Sequence, residues 1–206
     1  LAEYLGVKHA IGVADGTVAL KLALTLAGIS SGDEVIVPSH TFIATASAVH
    51  QVGGVPVLCD CGPDSMIDVE SARKLVTEKT RAIMPVQLNG RTCDMDAVEA
   101  FAGEHGLKIV EDSCQAMGAK YCGRQAGTFG VAGSFSFFPA KTLGCFGDGG
   151  ALIVDDADLA EQARELRDHG RGTDGKVHRF GINGRLDNIQ AAILLVKLKR
   201  YDQSIA

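Results

Sequence analysis

Short apolar runs alternate along this chain with longer stretches in which apolar positions recur at helical spacing, the pattern of an α/β protein. The runs Ala10–Val13, Glu34–Val37, Val55–Cys59, Ala82–Gln87, Lys108–Glu111, Gly133–Phe137 and Ala151–Val154 predict seven strands. Between them the spacing predicts helices over Thr17–Ala27, Thr41–Gln51, Val69–Leu75, Asp94–Glu104 and Asp156–Arg167, with a last one over Leu186–Lys199. Thr17 to Leu26 is apolar almost all round, so that helix should be buried. Gly28, Gly53 and Gly106 stand where helices should stop, and Pro38 closes a strand. Lys197, Lys199 and Arg200 gather at the end of the last helix, where they complement its dipole. No repeat, low-complexity tract or linker interrupts the pattern. The expected fold is a single α/β domain over residues 1–206, with a mostly parallel seven-stranded sheet flanked by helices.

Composition narrows the function more than the fold. The net charge of −5 leaves no basic stripe for a nucleic acid. No apolar run is long enough to span a membrane, and no basic-then-apolar leader opens the chain. The six cysteines, at 59, 61, 93, 114, 122 and 145, fit no zinc spacing. Free, mostly buried thiols in a reducing cytoplasm are expected, and no metal.

The candidate chemistry begins at Lys141. It follows the apolar run Phe135–Phe138 and lies in a segment too rich in glycine for an ordinary helix, running on to Gly149-Gly150. An amine placed there can condense with a carbonyl. Upstream, Asp112 falls at the carboxyl end of the strand Lys108–Glu111, where open α/β sheets place their ligands. Alone, an aspartate so placed is more often a helix N-cap. Together the two residues are the pair that pyridoxal 5′-phosphate (PLP) needs: a lysine for its aldehyde and a carboxylate for its pyridine nitrogen. A phosphate would sit at a helix N-terminus, and Gly16 and Thr17 open the first buried helix. Asp15 beside them would repel phosphate, so its side chain should point away.

These segments resemble the DegT/DnrJ/EryC1/StrS family of PLP-dependent sugar aminotransferases, which have the type I aminotransferase fold. The resemblance runs through Gly16-Thr17, Pro38-Ser39-His40-Thr41-Phe42, Glu111-Asp112-Ser113-Cys114-Gln115-Ala116, the Lys141 segment and Gly181–Ala192. It implies that Ser136 binds the cofactor phosphate, that Phe42 lies on the ring and that Gln115 contacts or packs beside the ring hydroxyl. It implies that Asn183 reaches the phosphate of a partner subunit, making the protein a homodimer with a shared active site. His178, Arg179 and Arg185 become candidate contacts for the substrate. The implied reaction moves an amino group, with L-glutamate as donor, onto a nucleotide-linked keto sugar in amino-sugar or polysaccharide biosynthesis. A 3-keto sugar is favoured, a UDP-linked 3-oxo N-acetylhexosaminuronate being one such substrate. Family members are longer at both ends and carry a smaller C-terminal domain, so the chain is expected to be a fragment that binds PLP and turns over poorly.

Three rival readings stay open at this stage. A PLP-dependent sugar dehydratase would carry His at the lysine position, which Lys141 argues against. A regulatory or inactive PLP-binding piece is compatible with the same residues. A nucleotide-binding module is disfavoured, because Gly147-x-Gly149-Gly150 has the wrong spacing and precedes a strand.

Overall fold

The structure, a computed structural model, describes residues 1–205. Seven strands form the main sheet: β1 (His9–Val13), β2 (Glu34–Pro38), β3 (Val55–Cys59), β4 (Thr80–Ile83), β5 (Lys108–Asp112), β8 (Ala132–Ser136) and β9 (Gly150–Val154). Their spatial order is β1-β9-β8-β5-β4-β2-β3. The pairs β2–β3, β2–β4, β4–β5 and β5–β8 are parallel. β9 runs antiparallel to both neighbours, β1 and β8. A two-stranded hairpin, β6 (Lys120–Tyr121) and β7 (Arg124–Gln125), stands apart from the sheet. Its turn residues Cys122 and Gly123 both have positive φ, 47° and 86°, as a two-residue hairpin loop of matching twist requires. The fold is thus the mostly parallel seven-stranded α/β sheet expected from the pattern.

The helices are α1 (Ala2–Leu5), α2 (Gly16–Leu26), α3 (Ala44–Gln51), α4 (Val69–Arg73), α5 (Met95–His105), α6 (Ala157–Leu166), α7 (Asn188–Leu198) and α8 (Tyr201–Ile205). Strand alternation divides the core between the two faces of the sheet. Val35, Val37, Met84, Val110 and Leu152 pack with Leu20, Leu24, Val49 and Ala163 from α2, α3 and α6. Ile36, Ile83 and Ile109, one position out of phase, pack with Val98 and Phe101 from α5. A third cluster joins Phe135, Phe137, Leu143 and Ile153 to Leu194 and Tyr201. α2 buries Ala19, Leu20, Leu22, Ala23 and Leu24, as its unbroken apolar pattern predicted. Gly28, Gly53 and Gly106 follow or cap their helices with positive φ.

β4 differs from its prediction. It spans Thr80–Ile83; Pro85, with no N–H to give, interrupts the ladder, and pairing with β5 resumes where Val86 bridges Asp112. Among the described residues no helix is long and apolar enough to cross a membrane. All six cysteines are free; Cys59, Cys93 and Cys145 are buried, Cys61 and Cys114 half-buried, and Cys122 exposed.

Candidate active site

The carboxyl ends of the parallel strands open into a cavity of about 630 Å³. Val86 follows β4, Asp112 ends β5 and Ser136 ends β8, so three neighbouring strands supply its floor. The N-terminus of α2 points into it with Gly16 and Thr17. Phe42 and Thr41 close one side, and Phe138, Ala140 and Lys141 the other.

Local chemistry explains each placement. Asp15 is the N-cap of α2: its Oδ1 accepts the Val18 N–H at 2.8 Å. That ties the carboxylate to the first turn of its own helix, and Asp15 still lines the cavity beside Gly16 and Thr17. Asp112 is 5% exposed, and both its oxygens are occupied. Thr45 Oγ1 donates to Oδ2 at 2.7 Å, and the Cys114 N–H donates to Oδ1 at 3.2 Å. No helix follows Asp112, so its carboxylate closes a turn onto Cys114 instead of capping a helix. Past Ser136 the chain keeps pairing without a ladder: the Phe137 N–H reaches Gly149 O at 2.7 Å, and Cys145 N–H reaches Phe137 O at 2.8 Å. The Lys141 N–H bonds Phe138 O at 2.8 Å, a tight turn that sets the lysine on the cavity wall. Lys141 and Asp112 therefore line one and the same cavity.

Gly16, Thr17, Phe42, Gln115 and Ser136 line it as well. Phe42 is 66% exposed, which rules out a core role for the ring. Gln115 accepts the Asn89 N–H with its side chain at 3.3 Å and the Gly90 N–H with its carbonyl at 2.8 Å, tying the loop after β4 to the site. Burial, and then the charge of Asp112, push the Cys114 thiol well above its ordinary range, while Lys141 opposes them.

The remaining sequence-selected residues lie elsewhere on this chain. Asn183 is exposed and bridges Asp168 through its backbone. Arg185 pairs with Asp168, Arg179 with Glu165 at 2.6 Å, and His178 with Asp174 at 2.9 Å. None of the four lines the cavity. Sequence reasoning missed Thr41, Thr45 and Cys114. Thr41 and Cys114 stand inside segments that carry the family resemblance but had no role assigned, and the signal for Thr45 was a hydroxyl four residues from that of Thr41, the spacing of neighbours on a helix face. Among the described residues no group of three or more His, Cys, Asp or Glu is placed to hold a metal.

The model of the DegT/DnrJ/EryC1/StrS aminotransferase family matches residues 1–206. A pleiotropic regulatory protein from Geobacillus stearothermophilus is 46% identical over 98% of this chain and 55% of its own length. A dTDP-3-amino-3,4,6-trideoxy-alpha-D-glucose transaminase from Streptomyces venezuelae is 47% identical over 98% of the chain and 53% of its own. The crystal structure of S. venezuelae DesV in complex with a ketimine intermediate superposes with a TM-score of 0.95, at 47% identity, over 98% of this chain and 55% of that one. The chain thus spans about half the length of the relatives it matches. Family model, relatives and fold agree with the cavity: this chain belongs to the DegT/DnrJ/EryC1/StrS aminotransferase family, whose members are PLP-dependent.

Proposed function

We propose that residues 1–206 form the PLP-binding domain of an aminotransferase that moves an amino group from L-glutamate to a nucleotide-linked keto sugar. The observation that carries this reading is the shared cavity of Lys141 and Asp112 at the strand ends. The donor set fits the cofactor: an amine, a carboxylate with lone pairs to spare, and a helix N-terminus whose amides suit a phosphate. When bound, PLP supplies a cationic ring that accepts the electrons released as an amino acid loses its Cα proton.

The chain's own residues do the rest. Asp112 holds the ring nitrogen in its protonated form. The Gly16 and Thr17 amides, the Thr17 hydroxyl and Ser136 take the phosphate. Phe42 would cover the ring face, where stacking adds about 0.5–1.5 kcal/mol beyond the area it buries. Gln115, which lines the same cavity, would contact the ring hydroxyl or pack beside it. With PLP bound, the Lys141 amine would hold its aldehyde and would be the group available to take and return a proton at the amino acid Cα. Asn183 lies outside this cavity and serves that of a second subunit in a homodimer, while His178, Arg179 and Arg185 border the sugar-nucleotide path. Amination at C3 is supported by the S. venezuelae relative, whose named product is a 3-amino sugar. A cytoplasmic location is part of this reading, and six free thiols are compatible with a reducing compartment.

The test is to load the chain with PLP, reduce with borohydride and map the modified peptide by mass spectrometry. A pyridoxyl group on Lys141, absent from Lys141→Ala, is the expected result; modification of other lysines with Lys141 untouched overturns the assignment. A second reading, a PLP-binding regulator, is favoured by the name of the Geobacillus relative. Formation of 2-oxoglutarate from L-glutamate by the loaded protein decides for the transaminase.

A further inference from the structure

Thr45 is fully buried, yet it carries a hydroxyl that the apolar neighbours of α3 cannot satisfy. Its one proton goes to Asp112 Oδ2, at 2.7 Å. Thr41 Oγ1 lies 2.7 Å from Thr45 Oγ1. Since Thr45 has spent its proton on the carboxylate, the second contact needs the proton of Thr41. The direction of the chain is therefore fixed: Thr41 donates to Thr45, and Thr45 donates to Asp112. Thr41 lines the cavity, Thr45 does not, and the Cys114 N–H grips the other carboxylate oxygen at 3.2 Å. A carboxylate held at both oxygens from fixed backbone and a helix cannot swing about its Cβ–Cγ bond.

We propose that Thr45 is a positioning residue: through the directed Thr41–Thr45–Asp112 relay it fixes the face that Asp112 turns to the cofactor ring nitrogen. The inference rests on the cofactor assignment above and adds to it residues outside the family-derived set. Donor chains of this kind polarise one another, so the relay also sets how much negative charge Asp112 offers the ring. Thr45 does not line the cavity, so its effect on the ring is felt through Asp112.

The test uses the full chain and PLP labelled with ¹⁵N at the ring nitrogen. Three variants read the relay: Thr45→Val, which keeps the shape and removes the hydroxyl; Thr45→Ser, which keeps the hydroxyl; and Thr41→Val, which removes the outer donor only. Thr45→Val is expected to move the ring ¹⁵N resonance and to weaken PLP binding about tenfold, the size of one hydrogen bond to a charged group. Thr45→Ser is expected to restore both, and Thr41→Val to move the resonance in the same direction by less. A folded Thr45→Val with wild-type resonance and affinity overturns the relay while leaving the cofactor assignment standing. Should Thr45→Val not fold, Thr41→Val decides: an unshifted resonance overturns the proposal. Failure of the wild-type chain to bind PLP overturns the cofactor assignment, and the relay with it.

Discussion

Gly16 lies outside the left-handed region, so the requirement for glycine there is one of space. A Cβ at this position would stand 2.8 Å from Ser136 Cβ and 2.9 Å from Cys114 Sγ, both closer than carbon and sulfur tolerate. α2 can therefore enter the site this tightly only because its first residue has no side chain, and the close approach brings the helix N-terminus against the end of β8. Alanine would gain about 1 kcal/mol in helix propensity. Overpacking costs about 1–3 kcal/mol, so the balance for Gly16→Ala is a net loss of about 1 kcal/mol in urea unfolding. Adding Cys114→Ala removes one of the two clashes and is expected to recover part of the loss, with the Ser136 contact retaining the rest. Equal stability of Gly16→Ala and wild type would remove the argument. At this scale the sequence was informative where a residue type is costly without a use, as at Lys141, or recurs with a turn, as at Gly16 and Thr17. The roles of Thr45 and Cys114 were not legible, because neither a hydroxyl spacing within a helix nor a cysteine after a strand says what it bonds; only the fold brings them to Asp112.

β5 delivers Asp112 to the cavity, and the residue before it, Glu111, faces the opposite side of the sheet with no exposure at all. Three donors meet its carboxylate: the Gln87 amide at 2.7 Å and the Gly127 N–H at 3.0 Å on Oε2, and the Phe129 N–H at 2.5 Å on Oε1. Gln87 is itself held, its Oε1 accepting the Cys93 N–H at 2.7 Å. Glu111 thus pins the segment between β7 and β8, and the segment that follows β4, to the strand that carries Asp112. Burial pushes the Glu111 carboxyl up to about 7, against the pull of its three donors and of Arg124. The ordinary carboxyl titrates near 4.5, so between these values the folded protein holds a proton that the unfolded chain has released. The stability that proton contributes is complete below pH 4.5 and is lost as pH rises through 7. Wild type is expected to lose on the order of 3 kcal/mol of unfolding free energy over this window from Glu111 alone. Glu111→Gln, which cannot titrate, should be less stable throughout, because its NH₂ faces donors, but should show a flatter dependence between pH 5 and 8. A slope unchanged by the substitution would show that Glu111 is not its source. At this scale the sequence was most legible: all seven sheet strands and six of the helices follow from apolar period and stop signals. β4 slipped because Pro85 breaks a run that hydropathy alone continues, and β6–β7 was missed because a two-residue strand has no period to read.

The short helices α1 and α8 escaped the sequence reading for a physical reason. Each is too short to be stable on its own or to show amphipathic spacing, so each exists through what it touches. They touch each other: the rings of Tyr4 and Tyr201 meet edge to face at 5.9 Å, and the Tyr4 hydroxyl donates to Asp202 at 2.7 Å. Tyr201 is also the link from this helix pair to the site. It is 2% exposed, its hydroxyl donates to Met117 O at 2.8 Å, and it lies 2.7 Å from Thr142 Oγ1. Met117 follows the Asp112–Gln115 segment and Thr142 is the neighbour of Lys141, so one buried phenol braces both walls of the cavity from behind. Because the Tyr201 proton is committed to the carbonyl, the Thr142 hydroxyl supplies the other bond. Tyr201→Phe keeps the ring packing and removes both bonds, leaving the Met117 carbonyl short of a partner. The expected cost is about 1–3 kcal/mol in unfolding free energy. A merely global loss would lower the melting temperature and leave the loaded site alone. A brace acting on the site predicts more: weaker PLP binding and slower borohydride trapping at Lys141 under conditions where the variant is still fully folded. Wild-type affinity and trapping rate in a folded Tyr201→Phe protein would confine Tyr201 to stability and detach the α1–α8 pair from the chemistry.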